Sequence, residues 1–277
     1  MKTLKHLLSL AAILLLAAAC GPRKADAPKV LVLYYSQTSN TKAVAEEIAG
    51  RLGADIEAIL PVNPYDGSYQ ETIARSGQER EQGILPEIQP LKSDLSAYDV
   101  IFLGYPVWFG TYAPPVAKLL EQADFAGKKL VPFCTFGSGG LDASVKDLAA
   151  KQPKAEILPG YGVRAARIGA MPKEVGRFLQ EGGFLGGEFT PLPDFSDPHP
   201  VSEAESAIFD AAVGTYPMIR AKAVTVASRA LPDGTEYLFT AADQPREGMP
   251  PMPGGGEMKV YVTALDGQAP EFTQVVR

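Results

Sequence analysis

Residues 29–41 read KVLVLYYSQTSNT: an apolar run, a loop of small hydroxyl residues, and the start of a helix. The run Lys29–Tyr35 is of buried-strand type, and a helical repeat begins near Thr41. Between them lies Ser36-Gln37-Thr38-Ser39-Asn40-Thr41. The first N–H groups of a helix have no intrahelical partner and carry the positive end of its dipole. A loop that opens a helix is therefore a ready anion site. Hydroxyls of Ser36, Thr38, Ser39 and Thr41 add donors, so a phosphate can be held without a Lys or Arg. A βα turn whose Ser and Asn only cap the helix is the plainer reading of the same residues.

Outward from this stretch the pattern repeats. Val44, Ile48 and Leu52 recur every four residues until Gly53, which predicts an amphipathic helix. Asp55–Pro61 reads as a second strand. The long polar stretch Val62–Ala97 reads as loop, except for a helix over Ser68–Arg80. Asp99–Tyr105 is a third, fully apolar strand, ending in Pro106-Val107-Trp108-Phe109-Gly110-Thr111-Tyr112 before a helix at Pro114–Glu121. A fourth strand, Lys129–Cys134, runs into Thr135-Phe136-Gly137-Ser138-Gly139-Gly140 and a helix at Leu141–Lys151. A weaker fifth strand spans Glu156–Arg164, with a helix at Pro172–Gln180.

Five strands alternating with helices predict an α/β fold with a five-stranded, doubly wound parallel sheet. Ligands of such sheets sit beyond the carboxyl ends of the strands. The loops after strands one, three and four all reach that edge, and all carry small hydroxyls, aromatics or glycines.

Together YYSQTSNT, GYPVWFGTYAPPV and PFCTFGSGGLDASV resemble the three cofactor loops of the flavodoxin family. The resemblance covers about residues 29–182, including the long insertion after strand two. It implies strand order 2-1-3-4-5 and an FMN cofactor. Ser36, Gln37, Thr38, Ser39, Asn40 and Thr41 would hold the ribityl phosphate. Pro106, Val107, Trp108, Phe109, Gly110 and Thr111 would flank the isoalloxazine on one side, and Thr135, Phe136, Gly137, Ser138, Gly139 and Gly140 on the other. Ser39 departs from the pattern, because a Gly usually stands there. If that position needs positive φ, a Ser costs about 1 kcal/mol or somewhat more.

Trp108 and Phe109 are the candidates to stack on a flavin ring; either could instead pack the core. No Lys or Arg lies in any of the three loops, so a reduced flavin anion would face no fixed cation and hold a low potential. The same electrostatics suits an electron carrier between a donor and an acceptor and an NAD(P)H-dependent quinone or small-molecule reductase. A flavin-free binding module is the third possibility, kept open by Ser39.

The amino terminus bears on location. Lys2 and Lys5 precede the apolar run Leu7–Ala19, too short for a bilayer span. Leu16-Ala17-Ala18-Ala19-Cys20-Gly21 resembles a bacterial lipobox, with Ala17 where that pattern usually has Leu. Lipidation at Cys20 after removal of residues 1–19 would tether the protein to a cell-envelope membrane through residues 20–28. Cleavage to a soluble periplasmic protein is the alternative. Losing Lys2 and Lys5 and no acid takes the formal charge from −6 to −8. That argues against nucleic acid as a partner. His199 is then the only histidine, so no histidine-rich metal site can form. Neither G-x-G-x-x-G, G-x-x-x-x-G-K-[ST] nor G-x-S-x-G occurs. With Cys20 acylated, Cys134 has no partner thiol, so redox chemistry would need an organic cofactor.

Residues 183–200 read as a Gly- and Pro-rich linker containing His199. Residues 201–277 then read as a small α+β antiparallel domain. A capping box, Ser202-Glu203-Ala204-Glu205, opens a helix to about Val213. Strands follow at Lys222–Ala230, Thr235–Ala241, Glu257–Leu265 and Phe272–Val276. The unit resembles the cystatin-like fold without an intact inhibitory loop. Met249 and Met252 lie in the hairpin tip Arg246–Gly256, which reads as a flexible loop rather than a Cu(I) site.

Overall fold

The computed structural model describes residues 28–214, 216–244 and 256–277. The signal segment, Cys20 and residues 246–255, with Met249 and Met252, lie outside them. No helix among the described residues is long and apolar enough to cross a membrane.

The first unit contains β1 (Val30–Tyr34), α1 (Asn40–Leu52), β2 (Asp55–Ala58), α2 (Tyr69–Gln82) and β3 (Val100–Trp108). It continues with β4 (Thr111–Tyr112), α3 (Pro114–Gln122), β5 (Lys129–Phe136) and α4 (Leu141–Lys151), and closes with β6 (Glu156–Ile157), β7 (Tyr161–Arg164) and α5 (Met171–Glu181). The sheet runs β2-β1-β3-β5, with β6 and β7 both pairing in parallel on the far side of β5. This is the 2-1-3-4-5 order expected from the loops.

Strand alternation divides the core in two. Leu31, Leu33, Ile101, Leu103 and Tyr105 pack under α3 and α4 with Val116, Leu119, Leu120 and Leu148. Val32, Phe102, Val131 and Phe133 face Val44 and Ile48 of α1 and Val175 and Leu179 of α5. Gly104 belongs to this second face, and the ring of Phe133 fills the space a side chain would need.

Two local readings need correction. The fifth strand is broken into β6 and β7 at Leu158-Pro159-Gly160. The break lies opposite Pro132, which has no N–H to offer the ladder, and Gly160 packs against the Pro132 carbonyl. The third strand does not end at Tyr105. It runs on to Trp108 and folds back as a hairpin with β4, pairing Val107 with Tyr112 and Trp108 with Thr111. The turn residues Phe109 and Gly110 have φ of 52° and 85°, as a two-residue primed turn requires.

The second unit comprises β8 (His199–Pro200), α6 (Glu203–Val213), β9 (Ala221–Leu231), β10 (Gly234–Asp243), β11 (Glu257–Leu265) and β12 (Glu271–Val276). Its antiparallel sheet runs β12-β11-β10-β9-β8. Phe209, Ala212 and Val213 of α6 pack on Val226, Phe239, Val260, Val262 and Phe272. Ser202 and Glu205 form the expected capping box. His199 of β8 is exposed and pairs with Val226 of β9.

Candidate functional site

The carboxyl ends of β1, β3 and β5 carry the three loops to one edge of the sheet. In the first loop, none of the amides of residues 37–42 has a backbone acceptor among the described residues. The first bond of the helix is Ala43 N–H to the Ser39 carbonyl, at 2.9 Å. The Ser36 hydroxyl is buried and has no hydrogen-bond partner among the described residues. Thr41 Oγ1 lies 2.8 Å from Thr135 Oγ1, a buried contact that joins the first loop to the third. An anion fits this cradle by donor supply alone, without a cation.

Ser39 adopts the left-handed conformation, φ 65° and ψ −5°, and makes no side-chain cap bond. The strain anticipated for a Ser at this position is therefore present. We expect Ser39→Gly to raise stability by about 1 kcal/mol, read as a shift of the urea midpoint. A loss of stability instead would mean that the Ser39 hydroxyl makes contacts worth more than the strain.

The side chain of Gln37 turns away from the cradle. It accepts from the Tyr35 hydroxyl at 2.8 Å and donates to the Tyr65 carbonyl. It thereby ties the first loop to the long segment after β2. Arg75 of α2 closes the same segment through the Asn63 and Pro64 carbonyls, and its guanidinium lies 4.1 Å from the centre of the Tyr65 ring.

Trp108 is half-buried and meets two rings edge-on, Tyr35 at 5.9 Å and Tyr65 at 5.1 Å between centroids. This aromatic cluster was missed in sequence because Tyr65 stands in a polar stretch. Burial pushes the Tyr35 and Tyr65 phenols upward, so both remain protonated donors at neutral pH. Phe109, at the hairpin tip, is 47% exposed despite its left-handed backbone. Arg80 of α2 lies 5.4 Å from its ring centroid. The Thr111 hydroxyl is buried without a partner among the described residues. Pro106 and Val107 line the base of the hairpin, where a β-carbon on Gly140 would press against Val107.

The third loop adjoins the second unit. Thr135 and Phe136 are buried at the end of β5. Beyond them, Gly137 accepts from Arg164 Nε at 2.9 Å, and Ser138 accepts from the Val275 N–H of β12 at 2.7 Å. A β-carbon on Gly139 would stand 2.1 Å from the Val275 carbonyl oxygen. Only Gly permits this approach. Arg164, at the end of β7, also donates to the Phe272 carbonyl at 3.0 Å and lies 3.4 Å from the Phe272 ring centroid. The absence of cations from the loops themselves therefore does not leave the edge without one: a buried arginine backs the third loop. Burial holds its pKa below the usual arginine value, yet far above neutrality.

Several known proteins resemble this chain. A sequence model of the flavodoxin family matches residues 29–169. A protein of Bacteroides eggerthii described as a flavoprotein is 27% identical in its crystal structure, with a TM-score of 0.50 over 56% of this chain and 98% of that one. A flavoprotein of Lactobacillus acidophilus, crystallised in complex with FMN, is 26% identical over 49% of this chain and 93% of that one, with a TM-score of 0.45. An NAD(P)H dehydrogenase (quinone) of Gluconacetobacter diazotrophicus is 35% identical over 95 residues, which are 34% of this chain and 46% of that protein. The match thus spans less than half of that enzyme. With a family match over half its length on a sheet of the expected order, the chain belongs to the flavodoxin family.

Proposed function

We propose that the protein is an FMN-binding redox protein of the bacterial cell envelope that carries electrons between a donor and an acceptor. The observation that carries the reading is the first loop: amides from residue 37 to residue 42 with no acceptor among the described residues, beside the buried Ser36 hydroxyl, which has no partner among them either. A phosphate monoester satisfies both. The hairpin Pro106–Thr111 and the loop Thr135–Gly140 would hold the ring system between them. FMN, when bound, supplies one- and two-electron transfer. The protein's residues bind and orient it. Trp108 is steadied by Tyr35 and Tyr65, and Phe109 offers an exposed ring where a partner or acceptor can approach.

The test is direct. The purified protein should be yellow, and FMN added to the apoprotein should quench Trp108, the only tryptophan, with one-to-one stoichiometry. A colourless protein whose Trp108 emission ignores FMN would overturn the reading and leave the flavin-free module. Reductase activity is a second reading, favoured by the likeness to the NAD(P)H dehydrogenase (quinone). Rapid anaerobic bleaching of the flavin by NAD(P)H alone would select it.

The envelope location rests on the sequence around Cys20. Cys20→Ser should release the protein from the membrane fraction; unchanged membrane association would sink the lipid anchor. The chain enters β1 at its amino end, where the Lys29 N–H meets Asp99. A tether at residues 20–28 would therefore leave from the edge opposite the three loops.

A further inference from the structure

We propose that the C-terminal domain is a working part of the flavin site, with Arg164 as the positioning residue that couples the two. The inference rests on the FMN reading above. Two peptide units of the third loop are fixed from outside the first domain's own loops. The Gly137 carbonyl is held by Arg164 and the Ser138 carbonyl by the Val275 N–H. The described residues contain no cis peptide, and in a trans unit the N–H points opposite to the C=O. The N–H groups of Ser138 and Gly139 are therefore turned away from Arg164 and β12, and neither has a backbone acceptor among the described residues.

These two donors lie in the loop expected to border the flavin ring, whose pyrimidine edge becomes more negative on reduction. Arg164 strengthens the first of them, the Ser138 N–H, through the Gly137 carbonyl of the same unit, while Val275 holds the unit that carries the second. Its charge is buried, and its hydrogen bonds go to two backbone carbonyls, Gly137 and Phe272. The neighbouring Arg167 takes the carboxylates, Glu174 at 2.9 Å and Glu271 at 3.1 Å. A guanidinium on the carbonyl of a peptide polarises the N–H of the same unit. Docking of the second domain thus favours the reduced flavin, opposite in sign to what the loop sequences alone imply.

The full-length, FMN-loaded protein tests this by spectroelectrochemistry. Arg164→Gln should weaken reduced FMN relative to oxidised FMN about tenfold, which lowers a two-electron midpoint potential by about 30 mV. Arg164→Lys, with its charge but a single point of donation, should fall between. Gly139→Ala, whose methyl group collides with the Val275 carbonyl, should lower the potential likewise and expose residues 186–198 to protease. A folded, FMN-loaded Arg164→Gln protein with an unchanged potential would overturn the inference and leave the FMN reading standing. If Arg164→Gln does not fold, the Gly139→Ala potential decides in the same way. A wild-type protein that takes up no FMN removes the FMN reading first, and this inference with it.

Discussion

FMN should outbind riboflavin by roughly two to four powers of ten. Two hydrogen bonds to a charged group contribute about 3–6 kcal/mol together, and residues 37–42 supply more than two acceptor-free amides. The Ser36 hydroxyl adds a donor already withdrawn from water, so its desolvation is complete before the ligand arrives. Preorganisation is greatest at Thr41, whose hydroxyl is held on Thr135 across the site. The measurement is a pair of calorimetric titrations of the apoprotein, one with each flavin. Equal affinities would place the phosphate away from residues 36–41.

Gly104→Ala should cost about 3 kcal/mol or more, because overpacking in a dense core strains backbone and rotamers together. The new methyl group would stand 2.1 Å from the end of the Phe133 ring, in the middle of the sheet. Phe102, Val131 and Val163 are fully or almost fully buried on the same face and leave that ring nowhere to swing. Thermal unfolding should drop by about 6–12 °C. Combining Gly104→Ala with Phe133→Leu should cost less than the sum of the two, since the smaller side chain vacates the contested space. Strict additivity, or an unchanged melting temperature, would show that the strands separate more easily than the packing indicates.

Much of this molecule was legible in its sequence. Buried parallel strands advertise themselves as unbroken apolar runs, and Val30–Tyr34 and Val100–Tyr105 are such runs. The helix from Leu141 to Lys151 and both hairpin turns of the C-terminal domain were signalled by Gly, Asp and Pro at fixed positions. What escaped was contact across long separations. The extension of β3 through Trp108 depends on pairing with β4, and apolarity alone does not report a two-residue partner. Tyr65 joins Trp108 only because Gln37 and Arg75 hold its segment in place. Arg164 stands at the end of a weak strand, and nothing local says that its side chain reaches Gly137 and Phe272. Charge counted along the loops omits this arginine for that reason, since it is delivered from beneath them.

At the third loop the junction between the domains draws on main-chain atoms, the carbonyls of Gly137, Ser138 and Phe272 and the N–H of Val275, while the side-chain pairs Arg167–Glu271 and Lys173–Asp233 cross it elsewhere. The main-chain part of this joint is nearly blind to side-chain drift, so divergence can alter the side chains around the third loop without loosening it there. Two positions are exempt. Residue 139 must stay without a side chain, and residue 164 must span two carbonyls at once. Homologues bearing a second domain here should therefore retain Gly and Arg at these positions, while homologues that end after the first domain should vary freely at both. A survey of chain lengths against those two residues would reveal when in the lineage the extension was acquired.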